Sequence, residues 1–474
     1  MNPPPYAIVE PVYDRPAYPR TSLACLAAYL RARDVDVHVL DCKYDRLDLD
    51  EAVAQIERVG PDLVGLVGLT NEVLQAARLA ERVKARNPAI VTVMGDVHMS
   101  ALPERTLREA PALDYGVVGE GEETLYELIQ QLEAGQRVTA RGVAYLAGDV
   151  YVYNGARETL DVSALPMPAW DLFRPAEHYI LQTSRGCPFA CVFCMNPAGR
   201  TVRARTPEQV LDELERLVEL GAVKTIYFGD EIFTVKRQRV VELCRGMIER
   251  GLHERLTWSC QTHVNTVDVQ LARLMRAAGC DWVGLGIETA DEMAMTTMGK
   301  GINRERVTRA TRAMRRAKLR FHAFFILGQP NETYESAKRT IDFAVDMNPD
   351  GAVFGIMVPY PGTRVWELAQ RGEGGYTRLS DNWNDYNKQI GHAVEFTGIE
   401  RRRLERLQMR GYVRVYTENG RTLELLRMVP RFTILVLHML LKQLGFGPER
   451  VHARPQSPPP PQRPKTRLRV LRSG

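Results

Sequence analysis

Tyr179-Ile-Leu-Gln-Thr-Ser-Arg-Gly-Cys187-Pro-Phe-Ala-Cys191-Val-Phe-Cys194 is the stretch on which the reading of this chain turns. It opens as a short strand, Tyr179–Thr183, and runs at once into three cysteines within eight positions. Strand-like runs recur downstream near Thr225, Thr257, Trp282, Phe321 and Ala352, with helical stretches between them. Strands that alternate with helices imply a parallel sheet. Six such units predict a partial (β/α)6 TIM-like barrel over residues 179–370. Active sites in such barrels sit at the C-terminal ends of the strands, so the cysteines fall at the mouth. One helix is specified in detail. Thr206-Pro-Glu-Gln forms a capping box with proline at the first helical position. Val210, Leu211, Leu214, Leu217 and Val218 then share one face, and Gly221 stops the helix.

Upstream, a second alternation occupies residues 1–136. Ala7–Glu10, Val35–Leu40, Leu63–Leu69, Ile90–Met94 and Tyr115–Val118 read as strands. Ser22–Arg33, Leu49–Val59, Asn71–Asn87, Pro103–Arg108 and Glu122–Glu133 read as helices. The pattern predicts a doubly wound, Rossmann-like α/β domain, whose ligands bind outside the carboxyl ends of its strands. Residues 137–178 read as a linker containing a hairpin that turns at Gly148 and Asp149. Residues 371–446 read as a small helical region, and 447–474 as a disordered, proline-rich basic tail.

Composition narrows the function classes. The chain has 474 residues, 45% hydrophobic and 26% charged, which excludes a disordered or fibrous protein. Its formal charge is +5, yet residues 451–474 alone carry six basic residues and no acid. The body is close to neutral and offers no basic surface for nucleic acid. Eight cysteines are too few for a disulfide scaffold. No secretory leader is evident, so a cytoplasmic protein with reduced thiols is expected. Val429–Lys442 beside the basic tail reads as a helix with weak affinity for a membrane surface.

A thiolate cluster this tight suits zinc or an iron–sulfur centre. A closed zinc site wants four ligands, commonly two paired sets. No second pair is visible. The CxxxCxxC spacing, with Phe193 before the last cysteine, resembles the radical S-adenosylmethionine enzymes. The resemblance implies a [4Fe–4S] cluster on Cys187, Cys191 and Cys194, with S-adenosylmethionine chelating the fourth iron. Electron transfer would then release a 5′-deoxyadenosyl radical, drawing on a donor such as flavodoxin or ferredoxin. Tyr227-Phe-Gly-Asp-Glu resembles the acidic motif that holds the methionyl amine, which implicates Gly229, Asp230 and Glu231. Gly284-Leu-Gly-Ile-Glu288 resembles the glycine-rich fourth-strand segment, which brings in Gly286 and Glu288. Gln261 is a candidate ribose contact. Gly328-Gln-Pro-Asn-Glu and Pro359-Tyr-Pro-Gly-Thr match the turns after the fifth and sixth strands.

A doubly wound domain before such a barrel is similar to the cobalamin-binding subclass. That implies cobalamin beside Thr70, Gly95, His98 and the turn Gly119-Glu120-Gly121. Cobalt-ligating domains carry D-x-H-x-x-G after the first strand. Here Asp96-Val-His98 follows the fourth, and Ala101 replaces the glycine, so His98 is expected at the corrin edge rather than on cobalt. The resemblance implies a cobalamin-dependent C- or P-methyltransferase acting on a small molecule, in secondary metabolism or in lipid or tetrapyrrole modification. The alternative is an oxidative cyclase similar to the anaerobic magnesium-protoporphyrin enzyme. A methylthiotransferase would need three further cysteine ligands upstream, and only Cys25 and Cys42 precede the signature. A non-catalytic sensor would not need the acidic and glycine motifs.

Overall fold

The computed structural model describes residues 18–387 and 392–426. Two sheets organise it. The first has three parallel strands, Leu63–Val67, Val91–Gly95 and Tyr115–Val117, followed by the antiparallel hairpin Val143–Ala147 and Val150–Tyr153. The hairpin turns where the sequence places it, but it extends the first sheet rather than standing apart as linker. Helices Leu49–Val59, Val73–Arg86 and Glu122–Glu133 lie within a residue or two of their expected bounds. Asp48 and Glu51 close a capping box on the first of them.

Val35–Leu40 does not form a strand within the described residues. Val37 and Val39 do pack inward against Ala27, Ala28 and Ala169. Their alternation comes from this packing, and apolar alternation alone does not supply a ladder partner. The expected strand Ala7–Glu10 lies outside the described residues.

The second sheet has six parallel strands: His178–Leu181, Thr225–Phe228, Thr257–Thr262, Cys280–Glu288, Arg320–Leu327 and Gly351–Ile356. Each pairs with its neighbour in chain order, and the first and sixth stand at the two edges. Alternate side chains face opposite ways. Ile226, Phe228, Trp258, Val283, Leu285, Phe321 and Phe325 are buried under the surrounding helices in the main core. The intervening residues face the other side, where Tyr227, Trp282 and His322 stack in one row. Ring centroids lie 5.9 Å apart for the first pair and 4.3 Å for the second. The Thr206 capping box forms as expected, with Gln209 N donating to Thr206 Oγ1 at 3.2 Å.

The region after the barrel is not simply helical. Tyr376–Leu379 pairs antiparallel with Val394–Phe396. Helix Arg401–Thr417 then covers the sixth strand, where Gln408 Nε2 donates to Phe354 O at 2.6 Å. The helical periodicity of 401–417 is legible, whereas two short strands separated by 14 residues leave no local hairpin signal. Val429–Lys442 and the tail 447–474 lie outside the described residues, among which no helix is long and apolar enough to cross a membrane.

Burial holds His322 neutral, lowering its pKa from 6.5 to about 4. The unfolded chain takes up this proton near pH 6.5 and the folded chain only near pH 4. Stability therefore falls as pH drops through that window, by at most about 3 kcal/mol from this residue. Urea unfolding at pH 7 and pH 4.5 should show a smaller pH difference in His322→Asn than in the wild type. Equal differences would contradict the assignment.

Candidate active site

The cysteine loop is anchored at its base by one carboxylate. Asp230 follows the second barrel strand and is 2% exposed. It accepts from Thr183 N at 2.5 Å, Thr183 Oγ1 at 2.6 Å, Ser184 N at 3.0 Å and Ser184 Oγ at 2.8 Å. Four donors saturate both oxygens, which compensates the burial of the charge. The Asp230 carboxylate is thus engaged by the chain just ahead of the cysteines. Arg239 reinforces the same point by donating to Thr183 O at 3.1 Å.

Beyond this anchor, Ser184–Arg185 pairs with Arg203–Ala204 and closes the loop that carries the cysteines. Gly186 has φ +98°, and a Cβ there would collide with Thr201 O. Cys187 N donates to Gly199 O at 3.1 Å, and Asn196 Nδ2 to Cys187 O at 3.1 Å. Val192 N reaches Met298 O, and Val365 N reaches Val192 O, each at 3.0 Å. Segments after the fourth and sixth strands therefore grip the loop. Phe193 is half-buried in packing against the core, so it anchors the loop rather than lining an open pocket.

Cys187 and Cys191 are partly buried and Cys194 is exposed. Burial pushes both inner thiols up, Cys191 to about 11. Metal binding would have to displace these protons. Among the described residues no three ligand-type side chains converge around a single ion. A four-iron cluster makes a different demand, because each thiolate binds its own iron corner. Three soft donors on one braced loop fit that group.

Glu231 stands at the rim, its carboxyl raised by partial desolvation and opposed by the Gly186 amide. Gly229 N closes onto Leu181 O at 2.8 Å. Gln261 has an exposed side chain beside Gly284. Gly286 lies under the Lys300 ammonium. Glu288 is buried and ion-paired to Lys300 at 2.5 Å. Lys300 was missed in the sequence; a lysine between two glycines, Met298-Gly-Lys-Gly301, was the available signal.

In the first domain, Leu69 (40% exposed) follows the first strand, Gly95 ends the second and the exposed Gly119 follows the third, so all three fall at the carboxyl edge of the parallel strands. Asp96 there has φ +86° and is held by Arg20 at 2.5 Å. Thr70 and His98 pack on one another just after the first and second strands. Both are buried, with His98 Nδ1 3.3 Å from Thr70 Oγ1, and Trp383 meets the imidazole edge-on at 4.6 Å. His98 thus lies between Thr70 and Trp383. Trp383 comes from the segment after the barrel, and its Nε1 donates to Glu109 at 2.7 Å. Glu120 is likewise engaged. It pairs with Arg185 at 3.0 Å and with Arg203 at 2.8 Å, while Arg185 also binds Glu122 at 2.5 Å. The Gly119–Gly121 turn is thereby tied to both ends of the cysteine loop, and its glycines, not its carboxylate, remain for a ligand.

Asp230→Asn keeps the shape but removes the charge and replaces one accepting oxygen with an NH2, weakening the hold on Thr183 and Ser184. It should destabilise the fold by roughly 1–3 kcal/mol and speed hydrogen exchange at Thr183 and Ser184 by about tenfold or more. Unchanged protection of those two amides would show that Asp230 is not the anchor.

Two family models match the chain, one described as the B12 binding domain over residues 17–129 and one as the Radical SAM superfamily over 181–344. An uncharacterized methyltransferase of Pyrococcus horikoshii is 32% identical over 410 residues, covering 84% of this chain and 88% of that protein. An anaerobic magnesium-protoporphyrin IX monomethyl ester cyclase of Cereibacter sphaeroides is 30% identical over 74% of this chain and 60% of its own length. Among solved structures, the cobalamin-dependent radical enzyme OxsB superposes with TM-score 0.71 at 19% identity, over 83% of this chain and 64% of that one. The methyltransferase TsrM from Kitasatospora setae gives 0.67 at 20%, over 78% and 74%. At these identities the two structures bear on fold alone. Taken with the loop and sheet geometry, the sequence matches make the chain a radical S-adenosylmethionine enzyme of the branch that carries a B12-binding domain.

Proposed function

We propose that this enzyme is a cobalamin-dependent methyltransferase that acts on an unactivated carbon or a phosphinate of a small molecule. Cys187, Cys191 and Cys194 would hold the [4Fe–4S] cluster. S-adenosylmethionine would lie across the mouth, its amine near Glu231 and the Gly229 backbone, its ribose near Gln261 and its adenosyl part over Gly286. Cobalamin would lie at the first sheet's open edge, between Leu69, Gly95 and the Gly119–Gly121 turn. When bound, the cluster supplies one electron to S-adenosylmethionine and the cobalamin supplies a methyl group. The protein's part is to hold these sites at fixed separation and keep the mouth lined with few competing groups. A flavodoxin or ferredoxin would serve as electron donor.

The observation that carries the reading is the cysteine loop at the end of the first barrel strand, braced by Asp230 and tied to the B12-binding domain through Arg185 and Arg203. The Pyrococcus relative, a methyltransferase by name, supports methyl transfer. The Cereibacter cyclase favours a second reading, oxidative ring formation on a tetrapyrrole-like substrate. Anaerobic incubation with S-adenosylmethionine bearing a deuterated methyl group, a reductant and candidate substrates separates the two. Methyl transfer gives 5′-deoxyadenosine together with a labelled methyl on product. Cyclisation gives 5′-deoxyadenosine and a product lighter by hydrogens, without label. No 5′-deoxyadenosine from cluster-loaded protein would rule out both.

A further inference from the structure

The fourth barrel strand ends on a left-handed residue that is not glycine: Glu288 has φ +68°. Such a conformation persists only where its surroundings hold it. Here Lys300 holds it, Nζ lying 2.5 Å from Glu288 Oε1 with both side chains nearly buried. The turn that delivers Lys300 is pressed against the cysteine loop. A Cβ on Gly299, at φ +71°, would come within 2.5 Å of Ala190 O and 3.8 Å of Cys191 N. Next to it, Val192 N donates to Met298 O at 3.0 Å. On the far side, His263 Nε2 bonds Lys300 O at 2.9 Å while its ring stacks on Phe189 at 4.0 Å. The backbone of 298–300 is therefore clamped to residues 189–192, which fixes where the ammonium stands relative to the cysteines.

We propose that Lys300 is a charge-tuning residue for the cluster on Cys187, Cys191 and Cys194, and that Glu288 both positions it and limits its effect. Accepting one electron makes the cluster and its thiolates one unit more negative. A fixed, nearly buried cation beside the loop stabilises that state, and a fixed anion opposes it. The inference rests on the cysteine assignment above.

The test is an anaerobic redox titration of the reconstituted full chain without S-adenosylmethionine, read by electron paramagnetic resonance. Titanium(III) citrate donates the single electron, which passes from titanium to the cluster with no proton or leaving group involved. Lys300→Met should move the midpoint to more negative potential, Lys300→Arg should stay near wild type, and Glu288→Gln should move it to more positive potential. A Lys300→Met midpoint equal to wild type, or a Glu288→Gln midpoint unchanged or more negative, overturns the inference. Should Lys300→Met fail to hold iron, the sign of the Glu288→Gln shift decides. Wild-type protein that binds no iron overturns the cysteine assignment, and this inference with it; unshifted potentials with full iron overturn the role of Lys300 alone.

Discussion

The Asp230 carboxylate is the contact on which the rest depends. A buried anion is costly unless every lone pair is met. Here the four donors come from two consecutive residues, Thr183 and Ser184. Neither residue could take that position if the first and second barrel strands were out of register, so the contact ties sheet geometry to loop geometry. From Ser184 the chain passes through the left-handed Gly186 into the cysteines. The direction in which the thiols are offered is thus set by a bond network that touches none of them.

A second set of charges relates the two sheets. Glu120 and Glu122 leave the B12-binding domain and meet Arg185 and Arg203, which flank the cysteine loop. Met195, just after Cys194, and Ala101 of the first domain both flank the Gly362 turn. Thr21 at the start of the first helix donates to Ile180 O in the first barrel strand. The two cofactor regions are consequently held by partly buried, multiply bonded contacts. Such networks resist displacement better than isolated surface pairs. The segment after the barrel completes the arrangement by laying Trp383 on His98.

Much of this was legible in the sequence, because strong local signals mark it. The six barrel strands, the Thr206 capping box and the cysteine loop each follow from spacing and turn chemistry. What was not legible depends on contacts between distant positions. Asp230 looks like a ligand because acidic residues at strand ends often are; only its distance to Thr183 and Ser184 shows that the chain ahead of the cysteines engages it. Glu288 and Lys300 are twelve residues apart, and no local pattern announces a buried pair. Thr70 and His98 sit at a strand edge in one dimension, but Trp383, nearly three hundred residues downstream, packs on His98. The ladder missing at Val35–Leu40 is a case of the same kind: alternation reports which way side chains point and says nothing about a neighbour.

The central claim is that one loop presents three thiolates to a cluster while the first domain holds cobalamin facing it. A crystal structure of anaerobically reconstituted protein with hydroxocobalamin and S-adenosylmethionine tests it most directly, with anomalous maps at the iron and cobalt edges. The account predicts an iron peak bounded by Cys187, Cys191 and Cys194, and a cobalt peak between the Gly119–Gly121 turn and the barrel mouth. Zinc at the cysteines, or cobalt bound away from that edge, would contradict it.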